Sequence, residues 1–371
     1  ACLVGSEMCI RDRYTEEMAK NHNHLVIMAG GVGSRFWPMS TEDTPKQFID
    51  VLGTGRTLIQ MTYDRFKGIC PDENVWIVTN KKYSRLVEEQ LPMIKHGNIL
   101  LEPCRRNTAP CIAYVSWRIK MQDSRANIVV SPSDHVVIDT SEFRRVITES
   151  LNFTKESDAI VTLGMKATRP ETGYGYIEAD LSSNTLRNKE IYRVDAFHEK
   201  PNAEKAVQYL AKSNYFWNAG IFIWNIETIV NALRVYAPRI NNIFERIQDV
   251  FGTEKEQKTV DECYPNCENI SIDYAVMEKA EEKFVFPANF GWSDLGTWGS
   301  LLMQSKRDVN GNVCIGQNIS LYDSNGCIIH TTQEKQVIVE GLSNYIVAEQ
   351  NNQLLICHLS EEQRIKLFLG K

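Results

Sequence analysis

Residues Leu25-Val26-Ile27-Met28 run directly into Ala29-Gly30-Gly31-Val32-Gly33-Ser34-Arg35, and Pro45-Lys46-Gln47-Phe48 follows a little further on. A short apolar run bounded by glycine reads as a strand buried on both faces, the kind found in parallel sheets. Such a strand needs helices above and below it, so it restricts the fold to a layered α/β class. Glycine lets the backbone approach a ligand closely and turn its N–H groups toward an anion. Arg35 and Lys46 would add full positive charge to that cradle. The stretch therefore reads as a nucleoside triphosphate site at the carboxyl end of the first strand. The plainer alternative is a strand-turn-helix corner with two surface cations. A Walker loop is excluded, because no Gly-Lys-Ser/Thr closes it. A dinucleotide fingerprint lacks its third glycine, since Gly33 is followed by Ser34-Arg35-Phe36-Trp37-Pro38. Pro38 and Pro45 make the segment a long irregular loop, able to fold over a triphosphate.

Apolar runs and helical segments then alternate. Strands are expected at 25–28, 75–79, 98–101 and 128–130, with helices at 57–67, 83–91 and 110–121. Further strands are expected at 159–164, 194–197 and 284–287. Alternation of this kind predicts a doubly wound sheet, with ligands beyond the carboxyl ends of the strands. A surface helix is expected at 202–213 and a largely helical stretch at 226–250. Residues 254–267 read as charged surface, and Ser271 to Lys279 as a capped helix start. From about Arg307 the texture changes. Strand-like pieces at 313–315, 319–322, 327–331, 336–340, 345–349 and 354–358 are separated by turns such as Asn310-Gly311, Asn325-Gly326 and Asn351-Asn352. This predicts a small all-β domain over 307–371, after a large domain over 19–306.

At 371 residues with 43% hydrophobic and 24% charged content, the chain is ordinary for a globular protein. Its net charge of −6 gives no support to a nucleic-acid or membrane surface, so any phosphate affinity must come from a local basic pocket. No apolar run approaches the roughly twenty residues needed to span a bilayer. The ten cysteines are scattered, and Cys263 and Cys267 have no second pair to complete a zinc site. Thiols in a reducing cytosol are the simpler account, which makes the expected location cytoplasmic. Residues 1–13 fit nothing that follows and lack the order of a signal peptide, and 1–18 read as a non-native or disordered leader, with Met18 a plausible start.

The run from Gly30 to Ser40, followed by Pro45-Lys46-Gln47-Phe48, resembles the signature of the sugar-1-phosphate nucleotidyltransferases. Its Trp37-Pro38-Met39-Ser40 and Pro-Lys-Gln-Phe pieces point to the mannose branch. The resemblance extends from about His24 to the C-terminus. It implies a Rossmann-like mixed sheet, a C-terminal left-handed β-helix, GTP and mannose 1-phosphate as substrates, Mg2+ as cofactor and a homodimer. Nucleotide contacts would come from Gly30, Gly31, Gly33 and Ser34, with Arg35 and Lys46 on the triphosphate.

Later motifs fall after strands, as this class requires. In Glu102-Pro103-Cys104-Arg105-Arg106-Asn107-Thr108, a carboxylate at Glu102 could accept both the N1 and N2 hydrogens of guanine, a pair that adenine does not offer. Asn107 and Thr108 would add contacts; the alternative is a surface loop with a helix cap. In Ser131-Pro132-Ser133-Asp134-His135, Asp134 suits magnesium, which takes one or two carboxylates plus phosphate oxygens. His135 reads as structural. Asp294, in Gly291-Trp292-Ser293-Asp294, is the second metal ligand the resemblance implies, or else a cap for the helix after it. For the sugar, the resemblance implies Gly173 of Thr172-Gly173-Tyr174-Gly175-Tyr176, Glu199 and Lys200 of Glu-Lys-Pro, and Asn218 of Asn-Ala-Gly-Ile-Phe. A tight hairpin and a solvated ion pair are the alternatives for the first two motifs. Two rival functions remain: another nucleotide and sugar pair, such as glucose 1-phosphate with UTP or dTTP, or a sugar-nucleotide sensor without catalysis.

Overall fold

The computed structural model describes residues 21–31, 33–185, 188–331 and 335–370. The leader expected over 1–18 lies outside them, as do Val32 and the side chain of Ser34. In chain order the strands are β1 (Asn23–Met28), β2 (Val75–Asn80), β3 (Ile99–Glu102), β4 (Asn127–Pro132), β5 (Val136–Val137), β6 (Ile160–Lys166), β7 (Tyr176–Asn184), β8 (Tyr192–His198), β9 (Tyr215–Asn225), β10 (Lys283–Ala288), β11 (Trp292–Ser293), β12 (Val313–Ile315), β13 (Ile319–Tyr322), β14 (Ile328–Thr331), β15 (Val337–Glu340), β16 (Tyr345–Gln350) and β17 (Gln353–His358).

A nine-stranded sheet in the order β3-β2-β1-β4-β9-β6-β10-β8-β7 forms the body. Strands β3, β2, β1 and β4 are mutually parallel, and β9 runs antiparallel to β4 and β6. Alternation along each strand divides the core in two. Val26, Ile128 and Val130 face one layer with Trp117 and Trp224. Leu25, Ile27 and Val129 face the other with Ile59 and Phe143. Helices Thr108–Gln122 and Ile226–Tyr236 pack on the first side, and Leu58–Phe66 and Thr140–Thr154 on the second. This is the doubly wound mixed sheet expected from the sequence.

Two segments differ from expectation. Residues 254–267, read as surface, contain the helix Glu256–Cys263 and fully buried Tyr264. Glu256 turns inward to Tyr114 and Arg118, and Tyr264 and Cys267 close a core layer. The expected helix start at Ser271 is a widened π-type turn, Asp273–Met277, in which the Glu278 N–H donates to the Asp273 carbonyl at 2.9 Å. Such single wide turns re-aim a side chain, here Asp273.

Strands β12 to β16 coil, and β17 adds to β16 as an antiparallel partner. β12, β14 and β16 form one parallel ladder, with Val313 opposite Ile328 and Ile328 opposite Ile346; β13 and β15 form another. The turn residues named from the sequence take left-handed backbone: Gly311, Gly326, Asn351 and Asn352 have φ of 78°, 61°, 50° and 61°. The coil packs on the body through a shared cluster in which Val313, Ile328, Ile346 and Ile365 meet Phe36, Leu58, Leu295 and Trp298.

Candidate active site

The glycine turn leaves β1 between the ends of β2 and β4, where the parallel order makes a crevice. Buried Gln47 pins it: its amide donates to the carbonyls of Ala29 and Gly31 at 3.0 and 2.9 Å. The Thr79 hydroxyl also donates to Ala29. Gly33 has φ of 62°, and a Cβ there would lie 2.6 Å from Lys46 Cβ. Only glycine satisfies both demands.

Lys46 is 4% exposed. Its ammonium lies 3.0 Å from the Asp134 carboxylate and donates to the carbonyls of Asp294 and Leu295 at 2.7 and 2.9 Å. All three protons are thus engaged, and Lys46 ties the loop after β4 to the loop after β11. Burial pushes the Asp134 carboxyl up, but Lys46 and His135 outweigh it and hold the group below its ordinary value. Asp294 accepts from the Tyr174 hydroxyl at 2.7 Å and from the Gly296 N–H at 3.0 Å. It does not cap the helix Trp298–Gln304, because Thr297 does. Arg35 is exposed and reaches the Gly296 carbonyl at 3.4 Å. Arg35, Lys46, Asp134 and Asp294 therefore line one cleft of about 290 Å³, together with Gly33 and Lys366. His135 also faces it, with burial first among the causes that lower its pKa, and its Nδ1 accepts from Trp292. That matches the structural role expected of it.

A second cavity, about 450 Å³, opens at the other end of the same turn and is lined by Gly30, Gly31, Glu102, Asn107 and Thr108. Glu102 is buried and accepts a hydrogen bond from the Tyr264 hydroxyl. Burial raises its carboxyl to about 7, against the opposing pull of Tyr264 and Arg105. Its other oxygen faces Gly30, where a Cβ would come within 3.3 Å. Asn107, at φ of 65°, accepts from the Thr108 N–H, so the cap read as its alternative is what its side chain does. The Thr108 hydroxyl accepts from the Ile272 N–H at 2.8 Å. Both still line the cavity.

The remaining candidates form a third group. Glu199 pairs with Lys200. The Asn218 amide donates to Asp273 at 3.0 Å and its oxygen accepts from Thr162 and from the Gly220 N–H. Burial, reinforced by Glu199, raises Asp273 to about 6. Gly173 is exposed, and its N–H donates to Glu171. The glycine with no room for a side chain is Gly175, whose Cβ would sit 2.6 Å from a Glu199 oxygen and 3.3 Å from Asn218. Gln47, Tyr174, Gly175, Tyr264 and Asp273 escaped the sequence reading as site residues. Gln47, Tyr174, Gly175 and Asp273 stood inside stretches quoted from the sequence, whereas nothing in the local sequence marks Tyr264.

Among the described residues no group of three or more His, Cys, Asp or Glu side chains could hold a metal alone. Two carboxylates facing a phosphate-sized cleft are the donor set magnesium accepts, since it keeps several waters and takes the rest from phosphates. Asp134 and Asp294 fit that group.

One glycine turn thus spans two cavities, with cations and two carboxylates lining one of them. The Nucleotidyl transferase family matches residues 24–311, and the chain belongs to it. It is 35% identical over 351 residues to alginate biosynthesis protein AlgA of Pseudomonas fluorescens, covering 92% of this chain and 70% of that one. It is 36% identical over 355 residues to mannose-1-phosphate guanylyltransferase 2 of Escherichia coli O157:H7, covering 92% and 71%. The crystal structure of mannose-1-phosphate geranyltransferase from Thermus thermophilus superposes with a TM-score of 0.83 at 30% identity, covering 94% of this chain and 99% of that one. No helix among the described residues is long and apolar enough to cross a membrane.

Proposed function

We propose that this chain transfers GMP from GTP to mannose 1-phosphate, forming GDP-mannose and pyrophosphate. The observation that carries the reading is one glycine turn with a buried carboxylate, Glu102, at one end and Arg35, Lys46, Asp134 and Asp294 around a cleft at the other. The guanine would sit against Glu102, with the triphosphate running along the turn into the cleft. A phosphate oxygen of the sugar attacks the α-phosphorus in line, and pyrophosphate leaves. No protein nucleophile is needed, so catalysis is positioning and charge neutralisation. Arg35 donates to phosphate oxygens. Lys46, with its protons engaged, acts through its field and by tying Asp134 to the loop that carries Asp294. Lys200 orients the attacking phosphate, and Glu199 and Asn218 hold the sugar beside Gly175. Magnesium held by Asp134 and Asp294 would neutralise phosphate charge as the bond to pyrophosphate breaks.

The family resemblance supports two further parts of this reading, the coil over 307–371 as a short left-handed β-helix and a homodimer, and the scattered cysteines support a cytoplasmic location. The deciding experiment is pyrophosphate release from GTP and mannose 1-phosphate, with and without magnesium. Turnover with UTP or dTTP and glucose 1-phosphate instead would move the specificity. Binding of GDP-mannose without turnover under any condition would make the protein a sensor.

A further inference from the structure

The triphosphate cleft draws one wall from outside the residues the family matches. Lys366 lies on the helix Ile365–Phe368, beyond the coil, and lines the same cleft as Gly33, Arg35, Lys46, Asp134 and Asp294. Its position is built rather than accidental. Ile365, the residue before it, is 1% exposed and packs in the cluster containing Phe36 and Trp298. Phe36 is the neighbour of Arg35. Glu362 accepts from the Gly299 N–H at 2.8 Å, in the first turn of the helix that follows Asp294. The segment 362–366 is therefore docked to both sides of the cleft, against the residue after Arg35 and against the helix after Asp294.

Charge gives the position a purpose. Without Lys366, the cleft balances two cations against two carboxylates. The ammonium of Lys46 has no proton left for a ligand, because Asp134 and two carbonyls take all three. Arg35 alone would then meet the phosphates farthest from the base. A nucleoside triphosphate carries about four negative charges at neutral pH, and phosphate groups are bound by charge-assisted donors. Lys366 is exposed, and no ion pair occupies it among the described residues. It makes the cleft net positive and supplies three donors.

We propose that Lys366 is a phosphate-binding residue of this site, contacting the β- and γ-phosphates of the nucleotide and the pyrophosphate they become. The inference rests on the nucleotidyltransferase reading above and extends it to the C-terminal segment, which then completes the active site rather than merely packing against it.

The test uses the full chain with Lys366→Met, which keeps the stem, and Lys366→Arg, which keeps the charge. Steady-state constants are measured in both directions, and binding of inorganic pyrophosphate with magnesium is measured by calorimetry. Losing one charge-assisted contact should raise the KM for GTP, and the KM and Kd for pyrophosphate, about tenfold in Lys366→Met. The KM for mannose 1-phosphate and the Tm should stay at wild-type values, and Lys366→Arg should recover most of the loss. Pyrophosphate constants unchanged in Lys366→Met would overturn the inference. So would a lowered Tm with all substrates weakened alike, which would mark a structural role. The parent reading fails separately, if the wild-type chain releases no pyrophosphate from any nucleotide and sugar phosphate. Pyrophosphate calorimetry would still decide on Lys366 in that case.

Discussion

Replacing Lys46 by Met retains the buried stem and deletes the ammonium. Across 3.0 Å, the attraction between Lys46 and Asp134 is about 5 kcal/mol at an effective dielectric of 20, most of it offset by desolvation. Removing one partner of a fully buried pair costs about 3–5 kcal/mol; Asp134 is 29% exposed, so about 2–3 kcal/mol is expected, or roughly 2–5 °C in Tm for a chain of this size. The pH dependence has a defined sign. In the wild type the Asp134 pKa lies below its ordinary value, so its contribution is present above the carboxylate range and lost as pH falls through the folded value. In Lys46→Met the same burial acts unopposed by Lys46 and raises that pKa. The deficit should then be largest at neutral pH and shrink on acidification. Turnover should fall about 100- to 1000-fold, the usual loss for one preorganised electrostatic group. Lys46→Met/Asp134→Asn should recover much of the stability, because no unpaired charge remains, while staying inactive. Thermal melts from pH 4 to 8 and pyrophosphate release on the wild type and both variants are the assay. If Lys46→Met kept turnover within fivefold of wild type, or if the double variant were less stable than the single, the electrostatic account of the cleft would be wrong.

In the proposed reading Glu102 would accept two guanine N–H groups only as the anion, and its carboxyl sits at about 7, so the KM for GTP should fall as pH rises from 6 to 8; Glu102→Gln should flatten that profile. Tyr264→Phe removes a donor that lowers this pKa, so the midpoint should move upward and GTP bind more weakly at pH 7. Stability runs the other way: the raised Glu102 value contributes below its ordinary 4.5 and is lost as pH rises through about 7, so Glu102→Gln should out-melt the wild type at pH 8 but not at pH 4. Gly175→Ala should raise the KM for mannose 1-phosphate at least about tenfold, since a Cβ would collide with Glu199, and leave that for GTP within about twofold. Chelation of magnesium should abolish pyrophosphate release reversibly while shifting Tm by no more than about 2 °C, because Asp134 is already neutralised by Lys46. A large Tm loss would mean that the ion is structural.

What the sequence by itself determined is local. Four apolar residues entering glycines specify a buried strand and an open turn, and alternation with helical segments specifies two covered faces. Asn-Gly pairs mark left-handed corners of the coil and Asn351-Asn352 the hairpin turn after it, since those residues tolerate positive φ. The motifs assigned to the proposed nucleotide and sugar sites were legible for the same reason, each being a short stretch following a strand. Only the tertiary structure decided which of those motifs meet. Strand order brings the loop after β4 against the loop after β11, and Lys46 ties them. A widened turn aims Asp273 at Asn218, a buried tyrosine holds Glu102, Gly175 replaces Gly173 as the close-approach glycine, and Lys366 arrives from beyond the coil. Contacts between residues far apart in the chain leave no periodic trace, because they depend on how layers pack and not on which dihedral angles a residue prefers.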